Sequence, residues 1–296
     1  MSACWICSSP GENQKTFGAY RRTFARKPWS ATLTACQSCG HVSIDPQPTA
    51  EELAPFYSQN YHVFSSKAMN IDEAADQFRQ GGEERHLHVR VVPGSDYLDV
   101  GCGIGDQVAL MSALGVKARG VELNPIAAGL CRDRGLDVHC GTLDDAAFPD
   151  ETFDAISLTH VLEHIPDPLP LLATCFRILK RGGELVIAVP NVRSLIFEKT
   201  GRYWINLDLP RHLHHFSPSS LRKAVAVVGF PTSFLTTESY EGLVEASLIE
   251  LVHRRTFLPR GLIRKSNALR SRARRLTRES SADDRGDVIV VRASKA

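Results

Sequence analysis

The sequence has no long apolar segment. In its 296 residues, no run approaches the roughly 20 apolar residues that a membrane-spanning helix needs. The first residues, MSACWICSSPGENQ, lack the basic start and the apolar run of a signal peptide. An internal repeat and a long low-complexity tract are also absent from the sequence. We therefore expect a cytoplasmic globular protein whose eight cysteines are thiols or metal ligands and not disulfides.

One part of the chain lacks acidic residues. Between His253 and Arg278 there are ten Lys or Arg residues and no Asp or Glu. Because the whole chain has a net charge of +2, these ten charges leave the remainder at −8. The segment predicts an anionic partner, with an anionic membrane surface and RNA as the two candidates. The alternative interpretation is a solvated helix face.

The glycine-rich stretch YLDVGCGIGDQ, residues 97–107, lacks one glycine of the dinucleotide fingerprint. The pattern G-x-G-x-x-G requires glycine at 106, where the sequence has Asp106. This spacing argues against an NAD-linked dehydrogenase. Asp99 precedes the turn, and a carboxylate there suits a ligand with an ammonium group better than a pyrophosphate. Glu122 ends the next predicted strand, where an acidic side chain can bind both ribose hydroxyls.

Strands and helices alternate from about residue 85 almost to the end of the chain. The predicted strands are DYLDV, KARGVEL, LDVHCG, FDAISLTH and ELVIAVP. After the second strand, Asn124 is the expected N-cap of a helix that has Pro125 at its first position. The helix PLPLLATCFRILKRGG is expected to close at the Gly182–Gly183 pair. This alternation predicts an α/β fold with a doubly wound, Rossmann-like parallel sheet, in which ligands bind beyond the carboxyl ends of the strands.

Four cysteines near the N-terminus form two pairs with the same internal spacing. Four thiolates satisfy the tetrahedral preference of zinc in a closed structural site, and Gly40 permits a tight turn after the second pair. A redox dithiol and four incidental cysteines are the alternatives. Two pairs that bracket a short polar segment favour metal, so we predict a structural Zn²⁺ held by Cys4, Cys7, Cys36 and Cys39.

Four sequence blocks resemble the class I S-adenosylmethionine-dependent methyltransferases. They are, in the family's order, YLDVGCGIGDQ, GVELNP, GTLDDAAFPDETFDAISLTHVLEHIPDP and ILKRGGELVIAVPN. The stretch GDVIVVRASK is similar to the final antiparallel strand of that family. The resemblance covers about residues 85–240 and the final strand and implies a methyltransferase domain at 85–296. A basic helical insertion occupies about 239–285 of this domain. The cysteine pairs and the composition before it predict a four-cysteine zinc module at 1–45 and a linker with a lid helix at 46–84.

The resemblance also implies which residues bind S-adenosylmethionine. The glycine-rich turn at 101–105 would hold the methionine part of the cofactor. Glu122 would bind the ribose, and Leu123 would lie beside the adenine. Asp144, preceded by Thr142 and Leu143, would meet the adenine amino group, and the end of the fourth strand would line the cofactor and the acceptor. The implied set is Asp99, Gly101, Cys102, Gly103, Gly105, Glu122, Leu123, Thr142, Leu143, Asp144, Thr159 and His160.

Methyl transfer mainly requires alignment of donor and acceptor, and an acceptor hydroxyl, amine or acidic carbon also needs a base. Histidine suits this role near neutral pH. The stretch PRHLHHF places one arginine and three histidines in a connection near the expected cleft. We predict His212 as the base, His215 as the second candidate and Arg211 as a clamp for an anionic group such as phosphate. His160 is a further catalytic candidate.

A narrower resemblance concerns the acceptor. DLPRHLHHFSPSSL, residues 208–221, is similar to a block in bacterial methyltransferases often associated with methylation of sugars, surface glycans or secondary metabolites. It implies a small-molecule, sugar or lipid-linked glycan acceptor. One alternative is a zinc-ribbon methyltransferase whose N-terminal module reads folded RNA. The other is a non-enzymatic binding module, which the intact Asp99, Glu122 and Asp144 disfavour.

Overall fold

A seven-stranded mixed sheet and a separate four-stranded sheet organise the molecule. The computed structural model describes residues 3–11, 14–24, 27–57, 69–80 and 88–296. Part of the predicted linker and the side chains of residues 19–29 lie outside this description. They include Arg21, Arg22, Arg26, Lys27 and Trp29, the basic and aromatic residues that leave the RNA alternative open. The strands are β1 (Gln14–Phe24), β2 (Lys27–Cys36), β3 (Val42–Asp45), β4 (Asp96–Val100), β5 (Lys117–Glu122), β6 (Val138–Cys140), β7 (Phe153–Thr159), β8 (Leu179–Pro190), β9 (His214–His215), β10 (Thr232–Glu238) and β11 (Val288–Ser294).

Helices cover both faces of the large sheet and build the insertion near the C-terminus. Within the described ranges, none of them combines the length and the apolar character that a membrane span needs. They are α1 (Ala50–Leu53), α2 (Ile71–Arg79), α3 (Asp106–Ala113), α4 (Pro125–Asp133), α5 (Pro168–Ile178), α6 (Leu195–Thr200), α7 (Pro218–Val227), α8 (Glu241–Thr256), α9 (Arg260–Arg264) and α10 (Asn267–Ala282).

The large sheet has the strand order β10-β11-β8-β7-β4-β5-β6. Strands β4 to β8 within it are parallel, whereas β11 runs antiparallel to both of its neighbours. The predicted α/β fold with a terminal antiparallel strand is therefore confirmed. Chain order reverses between β4 and β7, and in open α/β sheets such a reversal marks the place where a ligand crevice is expected at the carboxyl ends of the strands.

The helix that was expected to close at Gly182–Gly183 ends earlier. Its last residue is Ile178, and β8 begins at once with Leu179 and includes both glycines. A Cβ on Gly183 would lie 2.8 Å from the Lys180 carbonyl oxygen, and the pairing of β7 with β8 shifts register between Phe153 and Ala155. The glycines therefore permit an irregular strand start and do not cap a helix.

The small sheet has the order β1-β2-β3-β9, and its strands are antiparallel. Its last strand comes from the histidine-rich segment after β8, because Val42 pairs with His215 and Ser43 with His214. The four-cysteine part of the chain thus shares a sheet with a segment that lies more than 150 residues away. Cys4 and Cys36 also belong to the same apolar core as the large sheet.

Candidate functional site

The turn after β4 allows a ligand to approach the backbone closely. Gly101, Gly103 and Gly105 have positive φ angles of 71°, 57° and 80°, which residues with a side chain rarely adopt. A Cβ on Gly101 would lie 2.5 Å from Val161 Cγ2, and one on Gly105 would lie 2.5 Å from Leu136 Cδ1. Glycine is therefore favoured at Gly101 and Gly105 by the backbone conformation and by close packing against Val161 and Leu136.

Asp99 is a buried carboxyl group directly before this turn. Its Oδ1 accepts a hydrogen bond of 2.7 Å from Ser157 Oγ. Burial raises the pKa of Asp99 to about 7, and the hydrogen bond from Ser157 opposes the rise. A cationic ligand would favour the ionised form of this carboxyl, because the positive charge compensates for the lost hydration.

Glu122 connects the turn to the end of the neighbouring strand β5. Its Oε2 accepts a hydrogen bond of 2.9 Å from Gly103 N, and its Oε1 accepts one of 2.7 Å from Asn124 N. Leu123 follows with 69% of its surface exposed, which is unusual for a leucine beside a sheet edge. The Cys102 side chain points toward β5, because a Cβ on Gly120 of that strand would lie 2.6 Å from Cys102 Sγ.

The segment after β6 is held by an aspartate that the sequence did not single out. Asp145 Oδ2 accepts hydrogen bonds from Thr142 N at 2.9 Å and from Thr142 Oγ1 at 2.7 Å. Asp144 instead accepts a hydrogen bond of 2.8 Å from Thr174 Oγ1 on α5, and Leu143 is buried. The predicted adenine contact of Asp144 therefore competes with its bond to α5, while Asp145 fixes the turn.

His160 follows the last residue of β7, Thr159, in a strained conformation. Its φ is +55°, a value that costs energy for a residue with a side chain and recurs at functional sites. The side chain is 43% exposed, and its Nδ1 lies 3.2 Å from Glu163 Oε1. Burial would raise the pKa of Glu163, but the His160 hydrogen bond and nearby imidazoles lower it to about 2. An ionised, fully buried carboxylate thus orients an accessible imidazole.

Two further imidazoles lie beside Glu163. His164 Nδ1 lies 3.1 Å from the Arg211 carbonyl oxygen, and His212 Nδ1 lies 2.7 Å from the Asn206 carbonyl oxygen. The two rings meet edge to face with their centroids 4.6 Å apart. His212 is buried, unlike His160.

The remaining predicted histidine, His215, and its neighbour His214 are buried in β9. Burial lowers the pKa of His215 to about 3, so its ring is neutral at physiological pH. His214 faces the cysteine region: its Nδ1 lies 3.0 Å from His41 Nε2, to which Trp5 Nε1 donates a hydrogen bond of 3.1 Å. A continuous polar chain therefore joins the four-cysteine end to the histidine segment.

Arg211, the predicted clamp, is paired within the protein. Its Nη2 lies 2.6 Å from Asp208 Oδ1, and the same carboxylate approaches His212 Nε2 at 3.7 Å. Burial would raise the pKa of Asp208, but the charges of His212 and Arg211 lower it. This pairing neutralises much of the charge that Arg211 could offer to an anionic acceptor.

The four N-terminal cysteines are brought together as the spacing predicts. Their sulfur atoms lie within 4.8 Å of one another, and Cys4–Cys39 and Cys7–Cys36 have Sγ–Sγ distances of 3.6 Å. Tetrahedral zinc with Zn–S bonds of about 2.3 Å requires sulfur separations of roughly 3.8 Å. The hydrogen bond between Cys4 and Cys39 lowers the pKa of Cys4 and raises the pKa of Cys39. The donor set therefore fits a closed tetrathiolate metal site.

The basic insertion forms a helical hairpin with an apolar tip. Phe257, at the end of α8, is 85% exposed, and Leu258 and Leu262 are also exposed. Glu250 pairs with Arg254 and Arg260, both of which flank this tip. On α10, Arg270 and Arg272 are exposed, so the tip stands beside a basic helix.

Comparison with known proteins identifies the large domain. Residues 42–232 match a family profile described as a methyltransferase domain, a range that excludes all four zinc-ligand candidates. Over 171 residues the chain is 30% identical to a ubiquinone biosynthesis O-methyltransferase of Thiobacillus denitrificans, which covers 53% of this chain and 73% of the relative. The enzyme of the same name from Xanthomonas oryzae pv. oryzae is 34% identical over 132 residues, covering 42% of this chain and 55% of the relative.

A solved structure shares the fold. The S-adenosylmethionine-dependent methyltransferase from Archaeoglobus fulgidus superposes with a TM-score of 0.50 and 20% sequence identity, over 76% of this chain and 95% of that one. At this identity the likeness concerns the fold. It agrees with the strand order of the large sheet.

Proposed function

Because this chain belongs to the class I S-adenosylmethionine-dependent methyltransferases, we propose that it methylates a hydroxyl oxygen of a small molecule. The observation that carries this proposal is the His160–Glu163 pair at the end of β7, beside the glycine turn at the end of β4. Strands β4 and β7 are hydrogen-bonded neighbours, so donor and base would share one crevice. The O-methyltransferase names of the relatives favour oxygen as the acceptor atom.

The cofactor-binding residues follow from the described geometry. Asp99 and the glycine-rich turn suit the cationic amino acid part of S-adenosylmethionine, because the buried carboxyl gains from a positive charge. Glu122 suits the ribose, since a carboxylate can accept further hydrogen bonds beside those from Gly103 and Asn124. The exposed Leu123 offers an apolar surface to the adenine, with Thr142 on the neighbouring strand end.

Beside the alignment of donor and acceptor, transfer to a hydroxyl requires a base. When bound, S-adenosylmethionine supplies a methyl group that its sulfonium already activates. His160 accepts the proton of the acceptor hydroxyl at Nε2, because Nδ1 is engaged by Glu163. Glu163 holds the ring orientation and stabilises the imidazolium that forms, which is the role of the carboxylate in other histidine–carboxylate pairs.

His160 is a better base than His212 or His215 in this geometry. Its side chain is 43% exposed, whereas the other two rings are buried, and a general base must reach the proton that it removes. We propose that the buried rings of His212 and His215 support the structure of the site and do not act as bases. Arg211, paired with Asp208, is proposed to position the segment between them and to contact the acceptor only secondarily.

We propose that the four N-terminal cysteines hold a structural zinc ion. Four thiolates with no open position fit a structural and not a catalytic site. The chain of contacts from Trp5 through His41 to His214 means that this zinc would also hold β9 in place. The expected role is to fix the histidine segment, not to take part in methyl transfer.

A lipid-linked or glycan acceptor remains a narrower proposal, supported by the basic insertion. The exposed Phe257, Leu258 and Leu262 beside arginine side chains match the composition of surfaces that bind anionic membranes. Co-sedimentation with phosphatidylglycerol vesicles tests it. We expect binding that falls in Phe257→Ser and in high salt, and retention of all protein in the supernatant would remove membrane contact from the account.

The transfer reaction itself is tested with labelled methyl donor on fractionated cell extract. We expect label in the small-molecule or lipid fraction when the wild-type enzyme is present, and none with His160→Gln. Label that enters only the RNA fraction would instead support the zinc-ribbon RNA methyltransferase. A donor that binds while no fraction is labelled would contradict the proposed activity.

A further inference from the structure

Glu163 is a buried carboxylate, and among the described residues only one of its two oxygens has a hydrogen-bond partner. Its side chain is fully buried, and Oε1 is used by His160. Oε2 has no hydrogen-bond partner among the described residues. A buried, ionised oxygen without a partner is costly, and such groups in native proteins call for an explanation such as a bound water or ion.

Two imidazoles each place a ring nitrogen close to the Glu163 carboxylate. A backbone carbonyl oxygen can only accept a hydrogen bond, so the contact to the Asn206 carbonyl puts the ring proton of His212 on Nδ1. His164 Nδ1 lies 3.1 Å from both the Arg211 carbonyl oxygen and the Tyr57 hydroxyl, and the tautomer with its proton on Nδ1 donates to the carbonyl. In a neutral imidazole this leaves Nε2 as the lone pair. One ligand atom from each of Glu163, His164 and His212 lies within 4.8 Å of the others.

We infer that Glu163, His164 and His212 bind a divalent first-row transition ion through one carboxylate oxygen and two imidazole nitrogens. Metal-ligating histidines commonly donate their other N–H to a backbone carbonyl, which fixes the ring and the tautomer, and both rings here do so. Two histidines and one glutamate with open positions are a known ligand set for zinc and, as a two-histidine-one-carboxylate triad, for iron(II). Imidazole donors disfavour Mg²⁺ and Ca²⁺, which prefer oxygen.

The ion would lie on the far side of Glu163 from the proposed base, His160. Glu163 would bridge the two, with Oε1 toward His160 and Oε2 toward the metal. Asp208, whose Oδ2 is 3.7 Å from His212 Nε2, adds a second negative charge near the site. The positive charge of the ion would compensate for the buried charge of Glu163, so it would act on the reaction only through the contact between Glu163 and His160. This use of the ion rests on the proposed function, but binding of the ion does not.

The test must distinguish metal binding by Glu163, His164 and His212 from metal binding by the four cysteines. We would saturate the cysteine site of the full-length protein with one equivalent of Zn²⁺ and then titrate Co²⁺ without donor or acceptor, recording the visible spectrum. Thiolate ligands give cobalt an intense charge-transfer band, whereas nitrogen and oxygen ligands give only weak d–d bands. We expect one further Co²⁺ with d–d bands and no thiolate band.

Two ligand variants and one matched control decide the outcome. Glu163→Gln and His212→Gln should each weaken Co²⁺ binding by more than about tenfold, a loss that is seen even for partners of metal ligands. His253→Gln, a histidine on α8 outside the cluster, should bind as the wild type does. Unchanged S-adenosylmethionine binding shows that a variant is folded; if Glu163→Gln does not fold, His212→Gln decides alone.

Either of two results would overturn the inference. In the first, the zinc-loaded wild type takes up no Co²⁺ or takes it up only with a thiolate band. In the second, the folded variants bind Co²⁺ as tightly as the wild type does. Since neither readout needs turnover, a failed methyl-transfer assay beside a normal cobalt titration would count against the proposed function and not against the metal site.

Discussion

The site has a cofactor side, formed by the ends of β4, β5 and β6, and a histidine side, formed by the residues around Glu163. The polar side chains of these two sides are positioned by different kinds of contact. On the cofactor side, Asp99, Glu122 and Thr142 lie at or near the carboxyl ends of three parallel strands of the large sheet, β4, β5 and β6. These positions come from consecutive strand–helix units. On the histidine side, three segments far apart in the chain meet: the cysteine region, the turn after β7 and the segment at 204–217. The first arrangement depends on local backbone, and the second depends on tertiary contacts among buried side chains.

This difference implies that a substitution can impair one side without impairing the other. Damage to the strand ends should reduce donor binding and leave the histidine side intact. Damage to the cysteine region or to Glu163 should reduce transfer while donor binding persists. The following four predictions separate the two sides, in order of decreasing effect.

Replacement of the proposed base should have the largest effect. His160→Gln removes the proton acceptor, and general base catalysis typically contributes about 100- to 10,000-fold. We expect turnover to fall within that range while the affinity for S-adenosylmethionine, measured by calorimetry, stays within about twofold. His253→Gln serves as the control. A turnover rate in His160→Gln near that of the wild type would exclude His160 as the base.

Loss of the zinc site should destabilise the histidine side. Cys39→Ser breaks the tetrathiolate set, and loss of a structural metal belongs to the few changes that cost more than about 4 kcal/mol. We expect a lower free energy of unfolding and a loss of zinc by elemental analysis, with Cys140→Ser, an exposed thiol, unchanged. If Cys39→Ser kept its zinc and its stability, the cysteines would not form a structural site.

Donor binding should depend on the ionisation of Asp99. The carboxyl has a pKa raised to about 7, so the free protein holds a proton there below neutrality, and the cationic donor binds the ionised form. Affinity should therefore fall about tenfold from pH 8 to pH 6, with proton release on binding near pH 7. Because burial also raises the pKa of Asp287 to about 7, we would measure binding and not unfolding.

The control for this titration is Asp99→Asn. It should bind the donor more weakly at pH 8, by roughly 10- to 100-fold for the loss of a hydrogen bond to a charged group, and its affinity should not change between pH 6 and pH 8. An affinity of the wild type that does not depend on pH would show that Asp99 is not the partner of the amino group.

The smallest expected effect concerns the adenine. Leu123→Ser removes an exposed apolar surface whose partial burial would contribute about 1 kcal/mol, so donor affinity should fall about fivefold. Leu258→Ser, an equally conservative change on the insertion, should leave donor binding unchanged. An equal loss in both variants would point to a general effect on the protein and not to adenine contact.

Sequence patterns predict strand-end positions more readily than contacts between distant segments, for a physical reason. Strand ends, glycine turns and helix caps are local features, so the confirmed fold and the places of Asp99 and Glu122 at neighbouring strand ends could be predicted from them. The irregular start of β8 could not, because its glycines resemble a helix end until the contact of Gly183 with Lys180 is known. Which of the adjacent Asp144 and Asp145 holds the turn could not be predicted either, because only the contacts with Thr174 and Thr142 distinguish the two carboxylates.

The role of Glu163 could not be predicted from spacing either. The stretch THVLEHIP places Glu163 between two histidines, but only the fold buries its carboxylate and brings His212 to it from 49 residues later in the chain. Likewise, pairing of β3 with β9 joins the cysteine region to the histidine segment through contacts that no local pattern contains.

The most direct test of methyl transfer to a hydroxyl is NMR of the product made from a donor with a ¹³C-labelled methyl group. The enzyme would be incubated with the small-molecule and lipid fractions of cell extract, with His160→Gln in parallel. The account predicts a new methoxy carbon signal in one of these fractions that is absent with the variant. A signal from a methyl group on nitrogen or carbon, or a methoxy signal of equal size with His160→Gln, would contradict it.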